Sequence, residues 1–214
     1  MIEGRKVFGN VVKYIRMGAS SNFGNMFSVI GASAWLPFLP MAPVQVLTNN
    51  LLYDFSQTTI PTDNVDEEYL AKPRRWEIAN IGRYMLFIGP LSSIFDYATY
   101  LSMYFVFGAR TPAQASLFQT GWFVESIISQ TIIIHIIRTR KIAFIESRAS
   151  TALMLTTLTV CAIGIWLPFS PLAAALGFVP LPGLYWALLA AFLAAYLVLT
   201  HIMKVWFHRK FGLD

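Results

Sequence analysis

Cysteine is nearly absent: Cys161 is the sole one in 214 residues. One thiol excludes an internal disulfide, and no cysteine cluster offers a soft-metal site. Charge is scarce as well, at 13% of residues, where a soluble domain carries about 25%. With so few charged residues, a folded chain of this length cannot cover its surface for water. Catalytic patterns are also missing: there is no glycine-rich phosphate loop, no Ser/His/Asp arrangement and no metalloprotease motif. No period of 20–50 residues recurs, and the halves show no inverted pattern, so the chain gives little support for a transporter built from paired repeats. Arg5, Lys6, Lys13 and Arg16 precede the first apolar run without a cleavage pattern, so no signal peptide is expected.

What is abundant is apolar sequence, 56% of the chain, gathered into runs of bilayer length. A span needs roughly 20 apolar residues, and six can be drawn, at about 17–39, 43–60, 78–107, 117–137, 151–168 and 184–206. The fold class expected is therefore all-α, a polytopic membrane bundle of six transmembrane helices. The hydrophilic loop 61–77 and the basic stretch from Arg138 to Ser150 separate spans on one side. That side collects every Lys and Arg except Arg110, which places both termini in the cytoplasm of a multi-pass inner (plasma) membrane protein. The net charge of +5 lies at the edges of apolar runs. It reads as a topology signal with a lipid partner and no nucleic acid. Lys72, Arg74 and Arg75, beside Trp76, are candidates for anionic-lipid contact or for docking a cytoplasmic domain.

Three acids fall inside spans, Asp54, Asp96 and Glu125, with no basic residue at matching depth. An unpaired charge there costs roughly 2.5–3.5 kcal/mol on insertion scales. These carboxyls must be protonated, bonded to a neighbour's hydroxyl, or paired with a cation. Asn22 and Asn25 share one face of the first span; Asn50 and Asp54 share one of the second, with Gln57 three residues on. Amide and carboxylate oxygens are hard donors suited to Mg2+ or Ca2+, although amides also bond helices together. Glu125 ranks above Asp96 as a functional residue, and His135 reads as a satisfied interfacial histidine.

Several segments carry a family resemblance: Glu3-Gly4-Arg5, Ser20-Ser21-Asn22-Phe23-Gly24-Asn25, Pro43-Val44-Gln45, Asn49-Asn50-Leu51-Leu52-Tyr53-Asp54-Phe55-Ser56-Gln57 and Trp122-Phe123-Val124-Glu125-Ser126. They resemble the C-terminal transmembrane region of P-type cation-transporting ATPases, helices five to ten, most closely in the bacterial magnesium-transporting branch. The resemblance implies one domain over 1–214, with ion-site helices at about 11–60 and supporting helices at about 78–206. It implies that Asn22, Asn50 and Asp54 match cation ligands of calcium pumps, and that Glu125 falls at the eighth-helix glutamate. Asn25 stands where those pumps have a glutamate, and Tyr53 where they have a threonine, departures that favour one Mg2+ over two Ca2+. The implied metal set is Asn22, Asn25, Asn50 and Asp54, with Glu125 and Asp96 secondary. Mg2+ is the transported ion, and ATP belongs only to the full-length pump. The family's phosphorylated Asp-Lys-Thr-Gly-Thr segment is not among these residues, so the chain is not catalytic by itself and needs the remaining pump domains in cis or trans. The alternatives are the same domain of a Ca2+, Mn2+ or H+ pump, or a non-transporting scaffold.

Overall fold

The computed structural model describes residues 2–72 and 78–211. Arg74, Arg75 and Trp76 lie outside the described residues, and Lys72 is exposed.

The described residues are all-helical, without a β-strand. The helices are α1 (Ile2–Ser33), α2 (Pro43–Gln57), α3 (Glu67–Leu70), α4 (Ile78–Leu101), α5 (Ala115–Ile137), α6 (Thr151–Trp166), α7 (Ala173–Leu176) and α8 (Gly183–Phe211). Their ends follow local chemistry. Pro43 opens α2, where its missing N–H costs nothing. The Ser150 hydroxyl caps α6 by accepting from the Leu153 N–H at 3.2 Å. Gly177, at φ 71°, closes α7 in the left-handed conformation that glycine adopts without strain. One π-helical turn, Ser102–Val106, continues α4 to the tight turn at Gly108.

Three stretches are long and apolar enough to cross a membrane: Pro112–Ile137, Thr151–Phe169 and Gly183–Phe211. The others differ from the expected spans in instructive ways. α1 begins at Ile2, a dozen or so residues before the first apolar run, and carries polar side chains along its length. α2 has only 15 residues.

α5 is the hub. It packs against α1, α2, α4, α6 and α8, and its apolar window is 89% buried against 17% for that of α8. Trp122, Phe118, Phe123, Ile127 and Ile134 are fully buried along it. Small residues let α1 and α4 close on each other. A Cβ on Gly24 would stand 2.8 Å from the Gly89 carbonyl oxygen, and one on Gly89 would stand 3.1 Å from that of Ser20. The Ser93 hydroxyl donates to the Gly24 carbonyl at 3.0 Å across this seam.

Polar groups tie the basic end of the bundle together. Asp63 is buried and accepts from Lys13 at 2.9 Å and Arg138 at 3.0 Å, and from the Ser150 N–H at 3.1 Å. Asn10 donates to the carbonyls of Pro61 and Asp63. Asp66 accepts from the Thr139 and Ser147 hydroxyls and the Arg140 N–H. Lys204 is buried and donates to the carbonyls of Ile136 and Lys141, each at 3.0 Å, near the negative end of α5.

Candidate ion site

Asn22 and Asn25 ride on the unbroken middle of α1, and Asn50 and Asp54 on consecutive turns of α2. Asn22, Asn50 and Asp54 are exposed and Asn25 is half-buried. Among the described residues, none of the four makes a side-chain hydrogen bond, so their oxygens are free to ligate.

The four do not share one cavity. Asn25 and Asn50 line the same space of about 570 Å³, between the last third of α1 and the first turns of α2, which Trp122 of α5 also lines. Asp54 instead lines a second space of about 420 Å³ with Asn10, Tyr14 and Gln57, toward the basic end of the helices. Asn22 lies on the outer side of α1.

Asp96 of α4 and Glu125 of α5 form a separate, enclosed centre. Both are buried, and their carboxyls are within hydrogen-bonding reach of each other. Ser28 of α1 donates to Asp96 at 2.6 Å, while Glu125 Oε2 has no hydrogen-bond partner among the described residues. Two carboxylates in contact at low dielectric repel strongly, so this pair fits a shared proton or a bound cation.

Sequence reasoning missed the residues that hold these elements in place. Asn49, beside Asn50, is buried and donates to the Ser126 hydroxyl at 2.9 Å. Gln130 donates to the same hydroxyl and accepts from Ser21 of α1 at 2.7 Å. The signal was available: Ser126 and Gln130 are four apart, one helical position beyond Glu125 and Ser129. One polar line thus joins α1, α2 and α5, adjacent to the carboxyl pair. His135, read as an interfacial residue, is buried and pairs with the Thr157 hydroxyl at 2.8 Å.

Comparison with known proteins gives a consistent picture. The family described as cation transporting ATPase, C-terminus, matches residues 38–206. The magnesium-transporting ATPase, P-type 1, of Salmonella typhimurium strain 14028s is 55% identical over 212 residues, covering 99% of this chain and 24% of that protein. The protein of the same description from Escherichia coli K12 gives the same figures. A further one, from Salmonella typhimurium LT2, is 51% identical and is covered over 23% of its length. The chain therefore spans about a quarter of the length of the curated relatives it matches.

Proposed function

Because this chain belongs to the C-terminal family of cation-transporting ATPases, we propose that it is the transport domain of an ATP-driven magnesium importer. In this reading residues 1–214 form one domain of six membrane-spanning helices in the inner membrane, with both termini cytoplasmic. α1 and α2 carry the ion site, and the later helices support it. Phosphorylation and nucleotide binding are supplied by the rest of the pump.

The carrying observation is that Asn25 and Asn50 converge on one cavity with their amides unpaired. Mg2+ demands octahedral oxygen at about 2.0–2.1 Å and sheds its waters reluctantly. A wide cavity with few protein oxygens suits an ion that keeps part of its hydration. Asn22 and Asp54 complete the ligand set as the helices move during the pump cycle, with Asp54 as the main charged ligand. The Asp96–Glu125 pair takes a secondary part, holding a proton or a cation behind the cavity wall. The basic loop residues Lys72, Arg74 and Arg75 are the candidates for binding anionic lipid.

The test is Mg2+-stimulated ATP hydrolysis by the intact pump. Asp54→Asn is expected to abolish it, and unchanged turnover would remove Asp54 from the site.

A further inference from the structure

We propose that a recess at the basic end of the bundle, between α1, α4, α5 and α8, is a binding site for a phosphate group. It is lined by Lys13, Arg16, Tyr84, Arg138, Arg140 and His208, together with Asp66 and a few apolar side chains. It is separate from the cavities that hold Asn25, Asn50 and Asp54.

Charge decides the sign of the ligand. Asp63 already takes Lys13 and Arg138. Both oxygens of Asp66 are occupied by the Thr139 and Ser147 hydroxyls and the Arg140 N–H. Among the described residues, Lys13, Arg16 and Arg138 therefore meet two carboxylates, of which Asp63 is shared by Lys13 and Arg138 and Asp66 is taken up by its own bonds. The recess keeps a positive surplus.

Unsatisfied donors then fix the place. Tyr84 is only 3% exposed, and its hydroxyl has no partner among the described residues. Arg16 stacks its guanidinium over the Tyr84 ring at 5.5 Å, and its buried Nε is unpartnered among the described residues. His208 Nδ1, on a third residue lining the recess, is also buried and unpartnered among the described residues. Buried polar groups in native proteins find partners, and three orphans on residues that line one recess point to an occupant. The recess measures about 60 Å³, room for roughly four waters and so for one tetrahedral oxyanion. A guanidinium edge beside a hydroxyl donor matches the several oxygens of a phosphate better than a lone carboxylate.

The phosphate comes from a lipid headgroup or from free phosphate, and the two are separable. On the membrane reading above, Arg16 sits where the first apolar run begins, at headgroup depth. The full chain in detergent is heated with sodium phosphate or with sodium chloride at matched ionic strength. In parallel it is placed in nanodiscs of phosphatidylcholine with or without phosphatidylglycerol, and retained lipid is counted by native mass spectrometry. We expect phosphate-specific thermal stabilisation, selective retention of phosphatidylglycerol, or both. The response should weaken roughly tenfold or more in Arg16→Gln and in Tyr84→Phe, which removes a single hydroxyl. Arg83→Gln, an exposed arginine outside the recess, should respond like the unaltered chain. A response in detergent alone identifies free phosphate; retention of phosphatidylglycerol identifies lipid. No response in either arm, or equal loss in the Arg83 control, overturns the site and leaves the recess to water. Failure to enter nanodiscs would refute the membrane reading while leaving the phosphate arm intact.

Discussion

Arg138 and Asp63, 75 residues apart in the chain, meet in a fully buried ion pair at 3.0 Å. The pair joins the end of α5 to the turn after α2, and Lys13 brings in α1 through the same carboxylate. Removing the carboxylate strands two cations. Asp63→Ala should lower stability by about 3–5 kcal/mol, read as a drop in thermal midpoint in detergent. The Asp63→Ala, Arg138→Ala double variant should lose less than the sum of the single losses. Strict additivity would show that the pair is not coupled.

Acid should loosen the same end through Asp66. Burial alone would raise its pKa, but hydrogen bonds from Thr139, the Arg140 N–H and Ser147 outweigh that and hold it below the usual carboxylate value. A carboxyl whose folded pKa lies below its unfolded one adds stability above the unfolded value. That contribution fades as pH falls through the folded value. The thermal midpoint should therefore decline below about pH 4, with a shallower slope in Asp66→Asn. Identical slopes would mean Asp66 takes no part.

Glycine positions on α1 offer an internally controlled comparison. Gly24→Ala would drive a Cβ to 2.8 Å from backbone, the Gly89 carbonyl, which cannot swing aside. It should cost about 1–3 kcal/mol. Gly18, with nothing within 4 Å of an added Cβ, should gain up to about 1 kcal/mol as alanine from helix propensity alone. Equal effects at the two sites would contradict the close α1–α4 approach.

The adjacent asparagines should part company. Asn49→Ala removes one of the two donors to the buried Ser126 hydroxyl and is expected to lower stability by about 1–3 kcal/mol. Asn50→Ala, exposed and unbonded, should leave stability within about 0.5 kcal/mol while reducing Mg2+-stimulated turnover of the intact pump. A thermal melt beside an ATPase assay separates the two. The reverse pattern would move the ligand role to Asn49.

Much of the helical layout was legible from sequence because hydropathy and turn residues act locally. Pro43, Ser150 and the Gly108 turn sit at or within a residue or two of the expected limits of α2, α6 and the extended α4. The start of α1 was not legible, since residues 2–16 are too polar for a hydropathy signal and owe their helix to packing and to bonds such as Asn10 with the 61–63 turn. Helical spacing grouped Asn50 with Asp54 correctly on one helix. It could not say that the cavities on either side divide them, because that depends on how α1 crosses α2. The contact between Asp96 and Glu125 was equally out of reach. Each acid stood out alone, and their meeting is a product of tertiary packing.

α1 runs 32 residues without a proline, a rod about 48 Å long. Its seam with α4 closes to backbone distance where Gly24 meets Gly89, with the side chains of Phe23, Ser92 and Ser93 packed around the crossing. A stiff shaft held at one close crossing can tilt about it while its far ends travel in opposite directions. Force delivered near Ile2 would then arrive at Ser33 as reversed motion, with Asn22 and Asn25 beside the fulcrum, turning more than they travel.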